Sequence, residues 1–203
     1  CAKALDQKKS RSSSEVLDIV PDEDQQNLPL VGATPIMQEL YQIVAKLMNA
    51  DLPIMVCGES GTGKTLIAKV LHNFSDRRTL PLVTVTEADL TEIEGPAKIL
   101  ARAKGGTVLF EQIGDFNDEC QARIVRMIDN PMDSAPRFIA TMQQDAHQAV
   151  ENGVIRRDLY YRLGGAVIPV PALCQRVEDI IVLGEHFLNK GERDGAFQGS
   201  FSQ

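Results

Sequence analysis

Gly58-Glu59-Ser60-Gly61-Thr62-Gly63-Lys64-Thr65 decides the fold of this chain, because it satisfies the phosphate-loop pattern GxxxxGK[ST] and every position has a mechanical task. Glycines allow positive φ, so successive backbone N–H groups can turn inward around a β-phosphate. Lys64 then reaches the β- and γ-phosphates, and the Thr65 hydroxyl serves Mg²⁺. Upstream, Leu52-Pro53-Ile54-Met55-Val56-Cys57 is an apolar run of strand length, and downstream Thr65 to His72 carries apolar residues at helical spacing. The loop therefore joins a strand to a helix whose N-terminal dipole favours the bound anion. ATP with Mg²⁺ is the expected ligand, held by Gly58, Glu59, Ser60, Gly61, Thr62, Gly63, Lys64, Thr65 and Leu66.

Composition narrows the remaining choices. The chain has 203 residues, 43% of them hydrophobic, enough for one sizeable core. No apolar run approaches the roughly 20 residues that span a bilayer, and Cys1 to Ser14 is polar, so a cytoplasmic protein with no membrane contact is expected. Four cysteines without CxxC spacing and three histidines without HxxxH spacing exclude a disulfide framework and a Cys/His metal site. Cys57 falls in the predicted core strand and reads as a buried, reduced thiol. The net charge of −7 excludes this segment as the main nucleic-acid contact, since such affinity comes from clustered Lys and Arg.

Along the chain, Cys1 to Lys9 reads as the last turns of a helix from a preceding domain, and Ser10 to Asn27 as a solvated linker. The folded core begins at Leu28. Thr34 and Pro35 form an N-cap and first-turn pair, and Ile36, Leu40, Ile43, Val44 and Leu47 trace one predicted helix face. Strand-like runs follow at Leu82 to Thr86, Thr107 to Phe110, Phe138 to Thr141 and Ala166 to Val170, separated by helical stretches. That alternation predicts an α/β fold, a parallel sheet with helices on both faces and ligands at the carboxyl ends of the strands. Gly191 to Gln203 is a polar, glycine-containing tail without a core signal.

With the phosphate loop embedded in GESGTGKT, followed by GGTVLFEQIGD (105–115) and IRRDLYYRL (155–163), the chain resembles the AAA+ domain of bacterial enhancer-binding transcription regulators of the NtrC type. The resemblance runs from about Leu28 to Leu188, and Leu30-Val31-Gly32 matches the family's segment beside the adenine, which adds Val31 to the nucleotide contacts. It implies an AAA+ P-loop NTPase core that binds ATP between subunits of a ring, so the first partner is the chain itself. It also implies a two-component, nitrogen-regulation-like setting, with RNA polymerase carrying sigma-54 as target and DNA bound through a domain absent from this chain. On this reading residues 1–27 are a receiver-domain remnant plus linker and 28–180 the nucleotide-binding core. Residues 181–203 are then the start of a largely missing helical lid.

Several positions depart from or refine the family pattern. The family's Asp-Glu pair after the apolar run of the Walker B strand, Thr107 to Phe110, is Glu111-Gln112 here. Glu111 can still serve Mg²⁺ together with Thr65, whereas Gln112 keeps the size of the catalytic residue and loses the base, so hydrolysis is expected to be weak. An active ATPase with a relocated carboxylate, Asp115 being nearest, is the alternative, acting on a different partner. A scaffold that no longer binds nucleotide is disfavoured by the intact loop. The family's sigma-54-engaging GAFTGA loop has no counterpart within Glu87 to Lys104, where Glu94-Gly95-Pro96 stands as a shortened turn. A sigma factor other than sigma-54 is therefore the expected partner. The resemblance further casts Arg156 or Arg162 as an arginine finger, Arg156 first, and Gln143 as the polar sensor of the γ-phosphate, with Thr141 its near competitor.

Overall fold

A computed structural model describes residues 30–130 and 134–193. Five apolar runs form the strands β1 (Ile54–Cys57), β2 (Leu82–Val85), β3 (Thr107–Phe110), β4 (Arg137–Met142) and β5 (Ala166–Pro169). All neighbouring strands pair in parallel, in the order β2-β3-β4-β1-β5. The parallel α/β sheet expected from the alternation is thus present, each strand within about two residues of its expected bounds. β1, β3 and β4 are buried along their whole length, as central strands covered on both faces must be, while the edge strands β2 and β5 are only partly buried.

Side-chain alternation within each strand feeds two separate cores. Ile54 and Val56 of β1, with Leu109, Ile139 and Ile168, pack beneath α1 (Pro35–Leu47) and α2 (Lys64–Asn73). Met55 and Cys57, with Val83, Val85, Phe110 and Ala140, face the opposite layer. That layer is built from α3 (Glu87–Thr91), α4 (Gly95–Ala103), α5 (Asp118–Ile128), α6 (Ala146–Glu151) and α7 (Arg157–Leu163). The last helix, α8 (Asp179–Arg193), takes in Gly191 and crosses the boundary drawn at residue 180. The remnant and linker of residues 1–27 lie outside the described residues, as does the tail beyond Arg193.

Two local expectations need correction. The buried stripe of α1 is Met37, Leu40 and Val44, while Ile36 and Ile43 are 38% and 37% exposed. At 100° per residue, positions 37, 40 and 44 share the face toward α2, and positions 36 and 43 fall on its flank. Thr34 does occupy the N-cap, its carbonyl accepting from the Met37 and Gln38 amides, yet its hydroxyl makes no capping bond to the helix. That hydroxyl is drawn away to Asp179.

Arg137, the first residue of β4, is 4% exposed and holds the α1 end against the sheet. Its guanidinium donates to the carbonyls of Met48, at 2.6 Å, and Leu47. Among the described residues the Met48 carbonyl has no backbone partner and the Leu47 carbonyl also takes the Ala50 amide, both at the helix end where a cation is favoured. A charged hydrogen bond contributes about 1.5–3 kcal/mol, so Arg137→Met should lower the unfolding free energy by about 2–3 kcal/mol. Urea denaturation of the two proteins measures it, and a change below about 0.5 kcal/mol would contradict this account.

Candidate functional site

The phosphate loop leaves β1 in the middle of the sheet. The Gly58 amide donates to the Met142 carbonyl at 3.1 Å, and the Val170 amide donates to the Cys57 carbonyl at 2.7 Å, so both neighbouring strands pin its root. A Cβ at Gly58 would stand 2.7 Å from the Val170 carbonyl oxygen, closer than packing permits. At Gly61 and Gly63 space is open and conformation is the constraint, with φ of +80° and +101°. The loop then enters α2, whose first N–H groups have no helical partner and no side-chain cap.

Lys64 is buried, and its Nζ donates to the Glu59 carbonyl at 2.7 Å, folding the side chain back across the loop. Burial holds its pKa below the usual lysine value. The Thr62 hydroxyl donates to the same carbonyl at 2.8 Å. Just behind, burial pushes the Cys57 thiol up to about 11, which suits the inert core residue expected from sequence.

A cleft of about 960 Å³ opens beside the loop. Leu30, Val31 and Leu66 form one apolar side, and Ile180, Leu183 and Phe187 of α8 form the other. The α8 wall was not anticipated from sequence, although the i, i+3, i+7 spacing of those three residues carries the signal. Asp179 ties this wall to the opposite one. Its carboxylate accepts from the Ala33 amide at 2.7 Å, the Thr34 amide at 3.1 Å and the Thr34 hydroxyl at 2.7 Å. Burial alone would raise its pKa, but these bonds and the neighbouring Arg176 carry it below the ordinary carboxylate value. The buried Arg176 donates to the Thr62 carbonyl at 3.2 Å, so the turn before α8 also braces the phosphate loop.

Glu111 and Gln112 follow β3, both half-buried. Gln112 has φ +54° and ψ +52°, a left-handed conformation that costs a non-glycine residue on the order of 1 kcal/mol. Its amide donates to the Thr141 hydroxyl at 2.9 Å. Thr141 is buried in β4, whereas Gln143 is exposed just past the strand, so Thr141 is the polar residue that touches the Glu111-Gln112 pair. Thr65 and Glu111 are hard oxygen donors of the kind Mg²⁺ takes, and a loop with left-handed Gly61 and Gly63 beside Lys64 suits a polyphosphate. Among the described residues, no group of three or more His, Cys, Asp or Glu is arranged to hold a metal ion by itself.

Arg156 and Arg162 do not line the cleft of their own chain. Arg156 caps the start of α7 and donates to both Asp158 oxygens, from Nε at 3.0 Å and Nη2 at 2.8 Å. Arg162 pairs with Asp129. Both guanidiniums are partly exposed.

A family model described as the sigma-54 interaction domain matches residues 31–173. The DNA-binding transcriptional regulator NtrC of Rhizobium meliloti is 35% identical over 229 positions, covering 99% of this chain and 46% of that protein. The transcriptional regulatory protein ZraR of Salmonella typhimurium is 33% identical, covering 79% of this chain and 43% of that protein. Among solved structures, NtrX from Brucella abortus in complex with ATP has a TM-score of 0.74 at 28% identity, over 85% of this chain and 44% of that one. DnaA from Aquifex aeolicus, with a TM-score of 0.55 at 14% identity over 76% of this chain and 51% of that one, shares the fold. The chain spans a little under half the length of the NtrC relatives it matches. With its parallel sheet, its phosphate loop and these matches, the chain belongs to the sigma-54 interaction (AAA+) domain family of NtrC-type transcriptional regulators.

Proposed function

We propose that this chain is the ATP-binding AAA+ module of a cytoplasmic, DNA-binding transcription regulator, in which nucleotide binding and assembly matter more than hydrolysis. The observation that carries the reading is the loop itself: two left-handed glycines, a buried Lys64 and an unpartnered α2 N-terminus bordering an apolar cleft large enough for a base. The related NtrX of Brucella abortus has been crystallised with ATP and with ADP. Here Gly61, Gly63 and Lys64 would bind the phosphates, Val31 and Leu66 the base, and Gln143 the γ-phosphate. Thr65 and Glu111 would hold Mg²⁺, which when bound neutralises phosphate charge.

Gln112 can orient a water through its amide and cannot take a proton from it. Loss of a positioned base costs about 10²–10⁴ in rate, so slow turnover follows. Arg156, or in second place Arg162, would serve a neighbouring subunit's ATP, which accords with their position away from the chain's own cleft. Such a role needs a ring or a comparable assembly of copies. DNA would be contacted through a domain outside this chain, in keeping with its net charge of −7.

For the partner, we infer RNA polymerase carrying a sigma factor other than sigma-54. α3 and α4 are joined by only Glu92, Ile93 and Glu94 at the place of the family's sigma-54-engaging loop. The alignment to the Rhizobium meliloti NtrC runs over 229 positions against a chain of 203 residues, so that relative carries at least 26 positions without a counterpart here.

Lys64→Ala should abolish Mg-ATP binding by calorimetry, and unchanged affinity would refute the loop assignment. Gln112→Glu should raise steady-state phosphate release by about 10²-fold in the full-length parent protein, whereas a brisk parental rate unaffected by the substitution favours the relocated carboxylate. In purified transcription reactions differing only in sigma factor, the parent protein should be silent with the sigma-54 polymerase. Activation confined to that polymerase would overturn the partner assignment.

A further inference from the structure

Gln121, on α5, is 1% exposed, and its amide is fully used by backbone from two separate segments. Nε2 donates to the Phe116 carbonyl at 2.8 Å and to the Val154 carbonyl at 3.0 Å, and Oε1 accepts from the Arg156 amide at 2.9 Å. Phe116 closes the short turn Ile113–Asp115 that directly follows Gln112, and that turn is tied back to Gln112 by the Asp115 amide at 2.8 Å. Val154 and Arg156 belong to the segment that leads from α6 into α7. One side chain thus joins the turn after Glu111-Gln112 to the backbone that carries Arg156.

A second contact holds the same two segments together. A Cβ at Gly114 would stand 3.2 Å from the Val154 Cγ1 methyl, so the Val154 side chain packs against the bare backbone of the turn. The polar pattern around residue 121 admits few alternatives. Two carbonyls and one N–H converge there, and a primary amide answers all three. Glutamate would set a carboxylate against two carbonyl oxygens, and methionine or leucine would leave all three groups buried without partners.

We propose that Gln121 is a positioning residue: it holds the backbone of Arg156 at a fixed offset from the Glu111-Gln112 turn of the same subunit. This rests on the reading of Arg156 as a finger for the neighbouring subunit's ATP. Through it, the geometry of one subunit's own hydrolysis turn sets the reach of the arginine that the subunit presents to its neighbour. The covalent route between these segments runs through α5, β4 and α6, while the amide spans them in one residue. Arg156's guanidinium is held by Asp158 and its main chain by Gln121, so the two contacts fix different parts of the residue.

The test uses the full-length parent protein and its Arg156→Ala, Gln121→Met and Gln121→Asn variants. Affinity for a fluorescent ATP analogue is measured twice for each, at a concentration where subunits associate and at one where they are diluted apart. Assembled parent protein should bind more tightly than diluted parent, and Arg156→Ala should remove that gain. Gln121→Met should weaken binding to the assembled protein about fivefold or more, as expected from losing a well-placed charged contact, and leave the diluted affinity unchanged. If Arg156→Ala retains the full gain, the finger reading fails and this inference fails with it. If Arg156→Ala removes the gain while Gln121→Met keeps it, the finger stands and the role of Gln121 is overturned. Equal weakening in both states would likewise overturn it, because a purely structural residue behaves that way. Should Gln121→Met not fold, Gln121→Asn, which keeps an amide at the position and shortens its reach by one methylene, carries the same comparison and the same outcomes.

Discussion

Two-sided pairing of β1 is the constraint from which the site follows. β4 lies on one side and β5 on the other, and the bonds of the Gly58 and Val170 amides continue both ladders one residue beyond β1. The loop at Gly58 therefore leaves a strand whose direction and height are set by both neighbours. Because all strands run parallel, the ends of β3 and β4 emerge on the same side, bringing Glu111-Gln112 and Thr141 with them. The left-handed glycines then turn the chain sharply enough for α2 to start directly under the loop.

The helices are fastened to this sheet by buried or half-buried arginines that take backbone carbonyls. Arg137 holds the end of α1. Arg77 gathers the carbonyls of Gly105, at 2.6 Å, and Ala135, at 3.0 Å. Arg123 of α5 donates to the carbonyls of Leu90, Thr91 and Glu92 at 2.7, 2.7 and 2.8 Å, closing the end of α3 and the turn that follows it. A guanidinium suits this work because it presents several donors in one plane and stays charged when buried. Arg123 also explains how so short a link between α3 and α4 is held in shape: the carbonyls exposed at the turn are satisfied from within. Ile93 projects from this turn between the exposed Glu92 and Glu94, at 91% exposure.

The Glu111-Gln112 pair shows how strain and chemistry separate. The left-handed backbone at residue 112 is held by the Thr141 hydroxyl, and the side chain it carries is an amide, which does not act as a base. The turn that follows is bonded through Gln121 to Arg156.

The amino-acid order alone determined the strands and the loop, since periodicity and the glycine-lysine spacing are local properties of the chain. Residues Leu82 to Val85 and Thr107 to Phe110 are legible as strands because their apolar, β-branched runs admit little else. What local pattern could not decide was how distant segments meet. The buried face of α1 keeps Leu40 and Val44 but takes Met37 in place of Ile36 and Ile43, because residues on both flanks are apolar and only docking on α2 selects between them. The Thr34 hydroxyl left its own helix for Asp179, 145 residues away, and α8 supplied half of the cleft. The choice of Thr141 as the partner of Gln112, and the bridge made by Gln121, likewise depend on neighbours brought together by sheet order. Hydrogen bonds between remote segments leave no period in the sequence, so tertiary structure alone reveals them.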